Sequence, residues 1–270
     1  MRRLILAAIL AGVVSGAQAA DLPDIPILRG PVSDGVLSAR PVYWQGVYAG
    51  GQFSWGAVNT DHTTTNNGLN STIQADANVP INVTGVASPA TPVLGRSSEN
   101  HSGYGVFLGY NSQWDDVVLG IEGTFVHGKF NSNSSAASFN LRDIGFLARS
   151  NFVSSSVFTM ENYGTIRARA GYAIGSFLPY AFAGATFGQA DFLRTATISA
   201  GPAAGGPLLF SITRTANLPN HIVYGYTAGI GLDVMLIGGL FARAEFEHTR
   251  ITSQLNVSLN TVRGGIGYKF

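Results

Sequence analysis

From Trp44 onward, apolar and polar positions alternate with a period of two through most of the chain, the spacing of a β-strand with unlike faces. In the terminal stretch Asn260–Phe270, Val262, Ile266, Tyr268 and Phe270 share one face with Gly264. Thr261, Arg263, Gly265, Gly267 and Lys269 share the other. The same pattern predicts strands over about residues 44–58, 101–114, 117–129, 157–175, 178–194, 221–236 and 240–251. In the first of these, Val47, Ala49, Gly51, Phe53 and Trp55 oppose Tyr48, Gly50, Gln52 and Ser54. Two places resist the rule. Phe107 is an apolar residue on a polar face, and the Ala/Phe/Gly pattern of 178–194 leaves its faces ambiguous.

Between the strands, short and long connections take turns. Asp115-Asp116, Gly175-Ser176 and Gly238-Gly239 have the chemistry of tight turns. Asn59–Asn100, Asn131–Ser156 and Thr195–Asn220 are long, polar and without sustained periodicity, and a short connection near Ser253–Asn256 precedes the last strand. About eight strands joined in this way predict an all-β fold: a transmembrane antiparallel up-and-down β-barrel with long extracellular loops and short periplasmic turns.

Alternation alone does not say which face points outward, since a soluble ligand-binding barrel has the same period in the opposite sense. Composition helps here. Only 11% of residues are charged, against about 25% in soluble domains. The polar faces are mostly glycine, a poor solvating surface but a suitable filling for a narrow interior. Aromatics gather toward both strand ends, with Trp44, Trp55, Trp114, Tyr172, Tyr180, Tyr224, Tyr226 and Tyr268 placed to form two membrane-interface belts. With polar faces inward, Glu122, Arg167, Arg169, Asp233, Arg243, Glu245, Glu247, Arg263 and Lys269 point into the barrel. Charges in so confined a space must pair or keep water. An ionic network plugging the lumen is therefore expected over an ion-conducting lining, because an eight-stranded interior is just wide enough for side chains to fill.

At the amino terminus, Met1-Arg2-Arg3, the apolar run Leu4–Val14 and Ala17-Gln18-Ala19 have the layout of a cleaved secretory signal, residues 1–19. Pro23, Pro26, Pro31 and Pro41 mark residues 20–42 as an extended periplasmic leader, and the barrel is expected over 43–270. The net charge of +1 gives no basis for nucleic-acid binding. The chain lacks cysteine, which removes disulfides and thiolate metal sites from consideration.

The signal, the Pro-rich leader, the first strand Trp44-Gln-Gly-Val-Tyr-Ala-Gly-Gly51 and the ending Asn260–Phe270 together resemble the small, porin-like outer-membrane β-barrels of α-proteobacteria, relatives of the OmpA-type membrane domain. The resemblance implies an eight-stranded barrel in outer-membrane lipid, inserted by the outer-membrane assembly machinery through a signal containing Phe270. It also implies a role in envelope integrity or surface interaction, with the long loops available to an extracellular partner. The chain ends at Phe270, so no appended peptidoglycan-binding domain is expected.

Candidate chemistry is sparse. His62, His101, His127, His221 and His248 lie in loops or near the long-loop ends of strands, with no His-x-x-x-His or Gly-x-Ser-x-Gly motif to frame them. The expectation is a non-enzymatic barrel without cofactor or metal. A narrow porin is the first alternative and a rim-located enzyme the second.

Overall fold

The computed structural model describes residues 43–252 and 256–270. The segments read as signal peptide and leader lie outside the described residues, as does most of the connection near Ser253. Eight antiparallel strands pair in sequence order and close into a barrel. They are β1 (Gly46–Asp61), β2 (Arg96–Trp114), β3 (Val117–Asp143), β4 (Leu147–Tyr172), β5 (Phe177–Pro202), β6 (Phe210–Met235), β7 (Leu240–Thr252) and β8 (Asn256–Lys269). A helix, α1 (Asn67–Thr84), lies between β1 and β2.

Closure follows from the terminal strand, which pairs with β7 along one edge and β1 along the other. The last amide, that of Phe270, donates to the Val47 carbonyl at 2.9 Å. A closed ladder leaves no row of unpaired backbone groups, the condition for a sheet to survive in lipid. The wall has the expected sense: Tyr104, Val106, Leu108 and Tyr110 face outward and exposed, whereas Phe107 between them is 2% exposed. Tight turns at one end rest on left-handed backbone at Asp115 (φ 50°), Gly175 (φ 58°) and Gly238 (φ 58°).

The opposite end departs from expectation. β3 to β6 run to 26 or 27 residues each, against 13 and 14 for β7 and β8, where roughly 9–11 suffice to cross a bilayer. Asn131–Ser156 and Thr195–Asn220 are thus largely extensions of two hairpins, not irregular loops. The first is rich in Ser and Asn and the second in Ala and Thr, compositions that do not announce a strand, yet the backbone groups still require partners and find them across the hairpin. Register shifts at His127/Phe130, Met160/Asn162 and Ala190/Phe192 fall on neighbouring strands. An exposed charge stands at each shift, namely Lys129, Glu161 and Asp191, so the bulges mark where the apolar belt stops and the strands bend into the extension.

Inside the extension sits α1. Ile73, Ala77 and Ile81 recur at intervals of one helical turn and pack against the inward faces of the hairpins through Ala148, Phe152, Ala196, Ile198 and Ala200. Gly85 ends the helix in the left-handed conformation (φ 70°), its amide donating to the Ile81 carbonyl at 2.9 Å. Just before the helix, the buried His62 ring lies between Ser156 Oγ (Nδ1, 3.2 Å) and Ser132 Oγ (Nε2, 3.0 Å). Asn66 Nδ2 donates to Ser154 Oγ at 2.8 Å, tying the same segment to β4.

Burial lowers the affinity of His62 for a proton, opposed by neighbouring Asp61. The folded form therefore holds the proton less tightly than the unfolded one. Its stabilising contribution is complete above the free-histidine pKa of about 6.5 and is lost as pH falls through the lower folded value. Acidification is expected to speed amide exchange in Asn67–Thr84, whereas the His62→Gln variant should show little pH dependence there beyond intrinsic exchange chemistry.

Candidate functional site: the barrel interior

The inward face is layered. At the short-turn end, Trp44, Tyr48, Phe107, Tyr180, Phe182 and Phe241 form an aromatic floor. Their rings fit because most stand directly across from glycine: Tyr48 from Gly109, Phe107 from Gly50, Tyr180 from Gly231, Phe182 from Gly229 and Phe241 from Gly267. A Cβ at Gly229 or Gly267 would come within 2.5 Å of the facing ring. The glycine of the polar faces is thus the complement of rings on the neighbouring strands.

Above the floor lies an ionic layer of four arginines and four carboxylates, each residue no more than 4% exposed. Glu122 on β3 is its hub. Its carboxylate accepts from Tyr48 Oη at 2.8 Å, Arg167 Nε at 2.9 Å, Arg243 Nη1 at 2.7 Å and Arg169 Nη1 at 3.4 Å. Arg243 also grips Asp233 in two-pronged fashion, at 2.8 and 2.9 Å, the geometry that suits a planar guanidinium best. Arg169 donates to Asp233 at 2.7 Å, and Arg167 reaches Glu245 at 2.5 Å and Glu247 at 3.2 Å. Arg263 closes the layer, donating to Glu247 at 2.8 Å and to Tyr163 Oη at 3.0 Å.

The register explains how these groups meet, since Glu122 stands opposite Arg167 and Asp233 opposite Arg243. Residues two apart along a strand share a face, so Arg167/Arg169 and Glu245/Glu247 add reach along the axis. Three guanidinium groups also lie over rings: Arg167 over Phe182 (4.0 Å), Arg169 over Tyr180 (3.8 Å) and Arg243 over Phe107 (4.1 Å). Such contacts gain strength when desolvated. Beyond this layer, Val58, Val126, Phe130, Phe158, Met160 and Tyr163 form an apolar cluster.

Three sequence expectations are corrected. Lys269 stands apart from the network: at the end of β8 its long stem turns to the rim, where Nζ donates to the Gln45 carbonyl at 3.2 Å. Trp44 and Tyr180 are interior residues, 2% and 5% exposed, not belt residues. Gly46, at φ 132°, lets the chain bend before β1 so that Trp44 folds over the barrel mouth, edge-on to Phe241 at 6.2 Å. Tyr180 turns inward, where its hydroxyl donates to Glu245 at 2.6 Å. The other belt residues, Trp55, Trp114, Tyr172, Tyr224, Tyr226 and Tyr268, are outward and exposed, as is the terminal Phe270. Tyr48 and Tyr163 complete the layer and carry the period-two signal of their faces, Tyr48 sharing one with Gly50, Gln52 and Ser54.

The histidines do not converge. His62 serves α1, His101 packs on Phe130 (4.6 Å), His127 bonds Asn162, His221 lies against Phe192 and His248 bonds Asn260. Among the described residues, no three His, Asp or Glu side chains are grouped to hold a metal ion.

A closed eight-stranded cylinder with an oily outer belt and a paired ionic interior defines an integral outer-membrane β-barrel. The chain belongs to the outer membrane protein beta-barrel domain family, whose pattern it matches over residues 5–270. It is similar to the 25 kDa outer-membrane immunogenic protein of Brucella ovis, 27% identical over 62% of this chain and 62% of that protein. The Brucella abortus counterpart is 23% identical over 62% of this chain and 64% of its own length. The match thus spans less than two thirds of these relatives. Among solved structures, Ail of Yersinia pestis aligns with 84% of this chain and 99% of its own at 14% identity and a TM-score of 0.37. Neisserial surface protein A aligns with 84% of this chain and 100% of its own at 12% identity and a TM-score of 0.35. The protein resides in the outer membrane.

Proposed function

We propose that this barrel is a closed, non-catalytic element of the outer membrane that supports envelope integrity and holds a rigid extracellular extension for contact with partners outside the cell. The ionic layer carries this reading: four arginines and four carboxylates neutralise one another across the lumen with every member buried. Paired charges held by several hydrogen bonds each resist displacement by passing ions, because removing one partner strands the others without water. The aromatic floor below and the apolar cluster above favour the same conclusion. At the outer tips, Phe139, Leu141, Phe146, Leu147, Leu208 and Leu209 are exposed. That much apolar surface on polar hairpins favours a contact role. Residues 1–19 would serve as export signal, 20–42 as periplasmic leader, and exposed Phe270 as the mark read by the assembly machinery.

The test is conductance of the refolded full chain in planar bilayers. The native barrel is expected to give no steady channel, and the Glu122→Ala/Glu245→Ala double variant to give intermittent openings. Steady conductance by the native barrel that these substitutions leave unchanged would establish the porin reading.

A further inference from the structure

Outside the lumen, on the outer wall, the extracellular ends of β1, β2, β7 and β8 enclose a depression of about 440 Å³. Asn59, Asp61, Arg96, Ser98, His248 and Arg250 contribute to its lining. The register fixes its height. Asn59 stands opposite Ser98 and Ser258, and Ser258 opposite Arg250. Two residues along each strand toward the bilayer, Ala57, Asn260 and His248 form the next row, and below it lie Trp55, Val262 and Phe246. Those last three are exposed members of the apolar belt. The depression thus sits immediately outside the oily belt, where lipid headgroups begin.

Its chemistry is cationic and rich in hydrogen-bonding groups. Asp61 is the lone carboxylate in the lining and is already engaged. It accepts from Thr63 through backbone and hydroxyl and from Arg96 Nε at 3.1 Å, and these bonds hold its pKa down to about 2. That pair fixes Arg96 at the edge of the depression while leaving its side chain 81% exposed. Across the depression Arg250 is exposed, and no carboxylate among the described residues lies within ion-pair distance of it. His248 Nδ1 donates to Asn260 Oδ1 at 2.7 Å, which leaves Nε2 for a further partner. Two arginines against one carboxylate give the lining a formal charge of +1 with neutral histidine.

We propose that Arg96 and Arg250, with the Asn and Ser side chains between them, bind the phosphomonoester headgroup of an outer-leaflet lipid. A phosphate offers several strong acceptor oxygens to guanidinium forks and amide donors, and basic pockets beside the apolar zone of a membrane protein suit such headgroups. The site lies on the outer wall, so this assignment is independent of whether the lumen conducts.

The experiment uses the full chain refolded into phosphatidylcholine nanodiscs containing diphosphorylated lipid A or its dephosphorylated form, with retained lipid measured by native mass spectrometry. The Arg96→Ala/Arg250→Ala variant is expected to retain the phosphorylated lipid about tenfold less well than the native chain. Arg250→Lys should keep most of the binding. Arg214→Ala, which removes another exposed extracellular arginine, paired with Asp76, should change nothing. The dephosphorylated lipid should show no preference among the variants. Equal retention of phosphorylated lipid by the native and double-alanine chains would overturn the proposal, as would equal retention of both lipids by the native chain. Full displacement by millimolar inorganic phosphate would assign the site to a soluble anion and overturn the lipid reading. If the double variant does not show native heat-modifiable migration, Arg250→Gln alone is read in the same way.

Discussion

Replacing Glu122 by alanine is expected to cost the barrel about 3–5 kcal/mol, the range for removing one partner from a buried ion pair. Glu122 is the common acceptor of three arginines and the Tyr48 hydroxyl. Asp233, Glu245 and Glu247 retain contacts to those arginines and limit the damage. Truncation leaves more positive charge than the remaining carboxylates can neutralise, in an interior without solvent access to compensate. Urea unfolding in lipid vesicles measures the loss. Arg243→Ala in the same background should restore part of it, because Arg243 Nη1 is then no longer a donor facing an empty position. Additive costs in the double variant would mean that the two residues are not coupled.

Two adjacent glycines supply the second large effect. Gly50 faces inward, and a Cβ there would lie 2.4 Å from both the Ile266 carbonyl oxygen and the Phe107 ring. Gly51 faces outward, and the nearest atom to its Cβ would be 3.9 Å away. Gly50→Ala is expected to destabilise by about 1–3 kcal/mol, the usual cost of overpacking, while Gly51→Ala should be close to neutral. Phe107→Ala should not rescue Gly50→Ala, since the backbone oxygen of Ile266 remains in the way. The same urea titrations decide it, and equal effects at the two positions would contradict this packing.

The wall was readable because lipid and lumen impose opposite demands on alternate residues, and eight strands repeat that contrast. The alternation is ambiguous where that contrast weakens. On β5, Tyr180 and Phe182 are as apolar as belt residues, but Gly231 and Gly229 across the pair open space for them inside. Hydropathy scored along one strand does not register that vacancy; only the ring-to-glycine pairing between strands does. The same complementarity accounts for Phe107, the apolar residue on a polar face, which fills the space beside Gly50 and lies under Arg243.

The ionic layer was legible as a set of inward charges, since Arg167, Arg169, Glu245 and Glu247 keep the parity of their strands. Its partners were less so, because contacts across the lumen, such as Arg243 to Glu122, join strands that are not neighbours. Lys269 has the right parity but the wrong height, and a flexible ammonium at the rim reaches solvent more cheaply than it enters the network. Beyond the bilayer the signal faded for a different reason. The hairpin extensions and α1 pack against one another and not against lipid, so Ile73, Ala77 and Ile81 are scattered among Asn and Thr with no continuous oily face to announce a strand or a helix.

Collision accessibility of nitroxide labels tests the orientation of the wall, on which the apolar belt, the interior network and the outer-wall site all depend. Labels at Ile266→Cys and Ala168→Cys should collide readily with oxygen dissolved in the bilayer and poorly with a water-soluble nickel chelate, while Gln52→Cys should be shielded from both. Ready collision of the Ile266 and Ala168 labels with the nickel chelate, or a lipid-like oxygen response at Gln52, would mean that the cylinder is turned inside out.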